Sequence, residues 1–166
     1  MAGVCLLAGC RSSSTGFPVR TYPLGEKVSL GSLTYIVFET EYLTQIGDGP
    51  TPRIPQNRFF LVKVGVSNGG SETANVGAFQ LQDDKGKVYP ELNDGEGVPE
   101  WIGYLRPVKP AESAQGNALF DAPPQHYTIR VRDETGEKAA LIDIPLTFNA
   151  ETPDVQTPGD PSKKQP

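Results

Sequence analysis

The chain has 166 residues, with 15 Lys plus Arg against 20 Asp plus Glu and a net charge of -5. No broad basic field is therefore present to hold nucleic acid or an anionic bilayer by charge alone. One histidine, two cysteines within the first ten positions and a single methionine at Met1 leave almost no ligands for a zinc or copper enzyme, so no cofactor is expected.

Residues Ala2 to Gly9 are small or apolar and lead through Leu7-Ala8-Gly9-Cys10 into the serine-rich Arg11-Ser12-Ser13-Ser14-Thr15-Gly16. This stretch resembles a bacterial lipobox, in which small residues let the chain enter a processing peptidase extended and the cysteine thiol takes up diacylglycerol. The resemblance implies that residues 1–9 are a signal remnant, removed together with Cys5. Cys10 is then the lipidated first residue of a mature chain that holds no disulfide. The apolar run is short for a signal and lacks a basic leader, so the true start is expected upstream of Met1. Each buried acyl methylene contributes about 0.8 kcal/mol, so a lipidated Cys10 fixes the protein to a membrane surface. No other segment approaches the ~20 apolar residues of a spanning helix. The expected location is the bacterial cell envelope. With Arg11 and not Asp after the cysteine, a Gram-negative host would sort the protein to the outer membrane, facing the periplasm.

Residues 10–21 read as the lipidated cysteine and a flexible tether, and residues 22–149 as one folded domain. Glycine and proline, at 18 and 16 residues, exceed the roughly 20 together that average usage gives, which favours turns over helices. The first strands are expected at Lys27 to Leu30 and Leu33 to Tyr42. The next segment, Leu43 to Asn57, contains Pro50, Pro52 and Pro55 and is far longer than the ~4 to 6 residues typical of a connection. A partner-binding surface is expected here first, because prolines lower the entropy lost on ordering.

In Phe60-Leu61-Val62-Lys63-Val64-Gly65-Val66-Ser67 the apolar set Phe60, Val62, Val64, Val66 falls on one face of a strand, opposite Lys63, Gly65 and Ser67. Asn68-Gly69-Gly70 ends it with residues that tolerate positive φ. Strands follow at Val76 to Gln82 and Lys87 to Tyr89, joined by the turn Asp83-Asp84-Lys85-Gly86. From Asp83 to Glu100, six acidic residues face only Lys85 and Lys87, which concentrates most of the negative charge. Asp83, Asp84, Asp94 and Glu96 are weak calcium-ligand candidates, since hard oxygens suit Ca²⁺ but their spacing matches no calcium loop. The alternative is two solvated turns. Trp101, Tyr104 and Arg106 form a possible ligand-binding platform, with rings supplying area and the guanidinium direction. Otherwise Trp101 plugs one end of the fold.

Further strands are expected at Ala114 to Phe120, at Tyr127 to Arg132 with both arginines in water, and from Ile142 through Phe148. Pro145 in the last removes a ladder donor and argues for a sheet edge. His126 precedes one strand and reads as an exposed structural histidine, because no Gly-x-Ser-x-Gly elbow accompanies it. Residues 150–166, with four prolines and one large apolar side chain, read as a disordered tail. Seven or eight short strands with such turns specify an all-β, immunoglobulin-like antiparallel sandwich without helices.

Three blocks, Phe60 to Asn68, Phe79 to Tyr89, and Leu105-Arg106-Pro107 through Gly116 to Pro123, together with the lipobox, resemble a telokin-like, immunoglobulin-like domain of unknown function found on bacterial lipoproteins. The resemblance implies a sandwich displayed on the cell envelope, with no catalytic residues to assign. The favoured expectation is a non-enzymatic lipoprotein, membrane-bound through Cys10, that binds another envelope protein or an extracellular ligand. A calcium- or small-ligand module using residues 83–100 and the Trp101 region is the alternative. An envelope hydrolase with a site assembled from distant loops is the third reading.

Overall fold

Alternating apolar residues on a strand need a second apolar face, and a second sheet supplies it in the computed structural model, which describes residues 19–146. The eleven strands are β1 (Thr21–Tyr22), β2 (Val28–Leu30), β3 (Leu33–Leu43), β4 (Phe59–Asn68), β5 (Ala74–Val76), β6 (Gln80–Asp83), β7 (Val88–Pro90), β8 (Arg106–Val108), β9 (Ser113–Asp121), β10 (Tyr127–Arg132) and β11 (Ala139–Ile144). One sheet has the order β1-β11-β10-β6-β7 and the other β2-β3-β4-β9, while β5 and β8 form a separate ladder. No helix occurs among the described residues. Cys10, Phe148 and the proline-rich tail lie outside them.

The fold is the all-β sandwich read from the sequence, with three differences of detail. Among the described residues eleven strands replace seven or eight, because the two- and three-residue β1 and β8 carry too little alternation to be read and one expected strand is divided. The segment Val76 to Gln82 is two strands in different ladders, since the Phe79 amide donates to the Glu91 carboxylate at 2.8 Å and leaves the sheet. One ladder, β1 with β11, is parallel. That ladder also overturns the edge position argued from Pro145. The proline stands just beyond the end of β11, which is flanked by β1 and β10.

Phe60, Val62, Val64 and Val66 face Leu81, Ile129 and Ile142 across the main core. The opposite face of β4 is not simply solvated. Phe59 and Leu61, only 4% and 2% exposed, form a second cluster with Ile46, Val98 and Leu119. The long β3–β4 connection and the segment after β7 therefore fold back over the outside of the sheet. Farther along that face a β-bulge between Val37 and Glu39 turns the Phe38 ring over Gly65, where a Cβ would meet it at 2.9 Å.

The crossover from β9 to β10 is locked by Tyr127, whose hydroxyl donates to the Pro123 carbonyl at 2.6 Å. This is the tyrosine corner that immunoglobulin-like sandwiches use. In antibody domains a disulfide cysteine stands two residues later; here that position is the fully buried Ile129. Aromatic packing links the sheets instead, with the Phe60 and Tyr127 rings 5.8 Å apart, and within the sheet that holds β10 Tyr89 stands edge-on to Tyr127 at 5.5 Å.

Candidate binding surface

Strand register divides the sandwich into two poles. Leu141 donates to the Arg20 carbonyl at 2.9 Å, so the chain comes into β1 from the side of the β10–β11 turn. That turn meets the β2–β3 turn, where the Ser32 amide donates to Glu134 at 3.1 Å, and Tyr35 donates to the Arg132 carbonyl at 2.6 Å. At the opposite pole Leu43 and Asp121 both pair with Phe59, and Asp83 and Ile144 both pair with Tyr127. There the Phe60 ring, stacked at 4.2 Å on Tyr42 of the neighbouring strand, reaches Tyr127 of the other sheet at 5.8 Å. This loop pole gathers the β3–β4 connection, the β6–β7 turn and residues 92–98 and 122–126.

The β3–β4 connection is held down at three places. Ile46 and Arg53 exchange backbone hydrogen bonds of 3.0 and 2.9 Å. The Arg53 guanidinium donates to the Glu96 carbonyl at 2.6 Å and the Asp94 carbonyl at 3.1 Å, lies 3.5 Å from the Asp94 carboxylate and covers the Phe59 ring at 5.5 Å. Asp121 accepts from the Gln56 and Asn57 amides at 2.6 and 2.8 Å. Arg53 is the residue that sequence reasoning missed. Its signal was there, a lone cation in a proline-rich loop of a chain whose acid is concentrated elsewhere. What stays open is Ile54, 68% exposed, beside a shallow cleft of about 320 Å³ lined by Thr44, Pro55, Asn57 and Arg58.

The acidic segment is taken up in separate tasks. Asp83 accepts from the Lys85 and Lys87 amides at 2.9 and 2.8 Å and from Gln125 at 3.2 Å. Desolvation works to raise its pKa, but the Lys87 and Lys85 amides outweigh it and hold the carboxyl below its ordinary value. Asp94 accepts from the Glu96 amide at 3.0 Å as well as facing Arg53. Glu100 pairs with Lys63 at 3.1 Å. Among the described residues no three His, Cys, Asp or Glu side chains converge to hold a metal ion.

Trp101, Tyr104 and Arg106 do not share one surface. Trp101 is 36% exposed and lies flat on Gly95, where any Cβ would run into the indole. Its backbone strip borders β9, with Asn117 donating to the Glu100 carbonyl at 2.8 Å and Ile102 to the Asn117 carbonyl at 3.2 Å. Tyr104 is half-buried. Arg106 departs from the expectation of a ligand-facing guanidinium: it is 4% exposed, inside the sandwich. It donates to Glu91 and to the Gly77 carbonyl at 3.2 Å and lies over the Phe79 ring at 4.5 Å. The guanidinium is drawn inward by the charge of Glu91, fifteen residues away just beyond the end of β7, a pairing that no local pattern around Arg106 encodes.

His126 is partly exposed and placed between two carboxylates. Nδ1 is 2.5 Å from Asp84 Oδ1 and Nε2 is 2.7 Å from Asp143 Oδ1. Hydrogen bonds to Asp84 and then Asp143 push its pKa above the ordinary value.

Two stacked sheets, a tyrosine corner and a pinned loop layer define an all-β sandwich protein. The chain belongs to the family described as a domain of unknown function, DUF4352, which it matches over residues 22–140. Among solved structures it is similar to the yjhA protein from Bacillus subtilis, with TM-score 0.58 and 15% identity over 74% of this chain and 98% of that one. It is also similar to an uncharacterized β-sandwich protein from Clostridium difficile 630, with TM-score 0.52 and 9% identity over 81% and 99%. The secreted protein MPT63 from Mycobacterium tuberculosis gives TM-score 0.52 and 16% identity over 80% and 100%. At these identities the likeness speaks for the fold alone. No curated protein sequence matches the chain.

Proposed function

We propose that the protein is a lipid-anchored module of a bacterial cell envelope, in a Gram-negative host on the outer membrane facing the periplasm. It holds a non-enzymatic β-sandwich away from the membrane and offers its loop pole to another envelope protein or an extracellular ligand. The observation that carries this reading is the polarity of the fold. Val19 and Arg20 lead into β1 at one pole, and the loops pinned by Arg53 and Asp121 lie at the other. A chain acylated at Cys10 and tethered through the residues that precede β1 keeps the first pole toward the membrane and leaves the second outward. Loops already fixed before contact lose less conformational entropy on binding.

A calcium-binding role has less support, because Asp83 and Asp94 commit oxygens to amides of their own turns. The anchor is tested by expressing the chain from its native gene and following acyl labelling and membrane fractionation. Labelled wild type in the membrane fraction, with unlabelled soluble Cys10→Ala, is the expected result. Unlabelled, soluble wild type overturns the anchored reading.

A further inference from the structure

The single imidazole joins three strands of one sheet. His126 directly precedes β10, the central strand of the three; Asp84 follows β6 on one side and Asp143 lies within β11 on the other. A neutral imidazole has one N–H donor and one bare nitrogen lone pair. With a carboxylate at 2.5 Å from one nitrogen and another at 2.7 Å from the other, the neutral ring aims its lone pair at an anion whichever tautomer it adopts. Only the imidazolium donates to both. The charged groups facing the ring are thus Asp84 from the β6–β7 turn and Asp143 from β11. The adjacent Asp83 is turned away, toward the Lys85 and Lys87 amides, Gln125 and Tyr89.

We infer that His126 is a proton-operated clip at the loop pole: protonated, it ties the β6–β7 turn and the end of β11 to the start of β10, and on losing its proton it releases one of the two carboxylates. The clip operates with or without the lipid anchor. Its physical consequence is a loop pole that is more ordered in mildly acidic surroundings than in alkaline ones. The raised pKa of His126 places the change on the alkaline side of an ordinary histidine.

Because there is one histidine, its ring protons give an unambiguous NMR titration of the full chain. The expected midpoint lies above 6.5, the ordinary value. Backbone amides of Asp84 to Lys87 and of Asp143 and Ile144 should shift with that same midpoint, and Asp84→Asn and Asp143→Asn should each lower it. A midpoint at or below 6.5, amide shifts confined to Gln125 to Tyr127, or a midpoint unmoved by both variants would overturn the clip. The wild-type titration decides the question even where a variant fails to fold.

Discussion

Arg106 and Glu91 form an ion pair wholly inside the sandwich, with both side chains shut off from solvent. The second Glu91 oxygen accepts from the Phe79 amide, so the pair also fixes the point where the chain leaves β5 for β6. Burial raises the Glu91 pKa and lowers that of Arg106, each opposed by the charge of the other. Removing one partner strands a buried charge, which typically costs about 3–5 kcal/mol. Arg106→Met is therefore expected to lower the urea midpoint sharply. Adding Glu91→Gln, which keeps an acceptor for the Phe79 amide, should restore most of the loss. A double variant no more stable than the single one would show that the charge itself was not the cause.

Arg53 is expected to hold the loop layer. Arg53→Ala loses two hydrogen bonds from a charged donor and the cover over Phe59, a cost of about 1.5–3 kcal/mol. Hydrogen exchange in residues 44–57 should rise while the strands of the main core stay protected. Arg53→Lys should recover only part, because an ammonium does not reproduce the planar fork.

Gly95 is required by the indole resting on it. Gly95→Ala should displace Trp101, red-shift the fluorescence of the only tryptophan and cost about 1–3 kcal/mol by overpacking. Unchanged emission would mean that Trp101 does not lie on that loop in solution.

Stability should show a plateau in mildly acidic solution. Asp83 and Glu134 have folded pKa values below their ordinary ones, the latter through its own amide and the Ser32 amide. Their contributions are complete above the unfolded value, 4.5 for Glu134, and are lost as pH falls through the folded value. His126 runs the other way: its contribution is complete below 6.5 and is lost as pH rises through its higher folded value. Melting temperatures measured from pH 3 to about 9 should peak between these limits. His126→Asn should flatten the alkaline limb alone.

Period-two alternation made the core strands legible, because Tyr127, Ile129 and Val131 follow one rule and meet a sheet that follows the same rule. The second cluster was not legible, since burial of Phe59 and Leu61 depends on loops whose path no local pattern encodes. At the loop pole the long connection drew notice through its prolines, while Arg53 gains its meaning only from Asp94 and Glu96, some forty residues on. Likewise His126 looked like an ordinary surface residue until the pairing of β10 with β6 and β11 brought two carboxylates to its ring.

The most direct test is position-specific photo-cross-linking in the native envelope, with the photoreactive residue at Ile54 on the loop pole or at Glu72, beside Ser32 and Glu134 at the opposite pole. The expected result is a discrete adduct from Ile54, diminished by Arg53→Ala, and none from Glu72. Equal adducts from both positions, or from Glu72 alone, would contradict it.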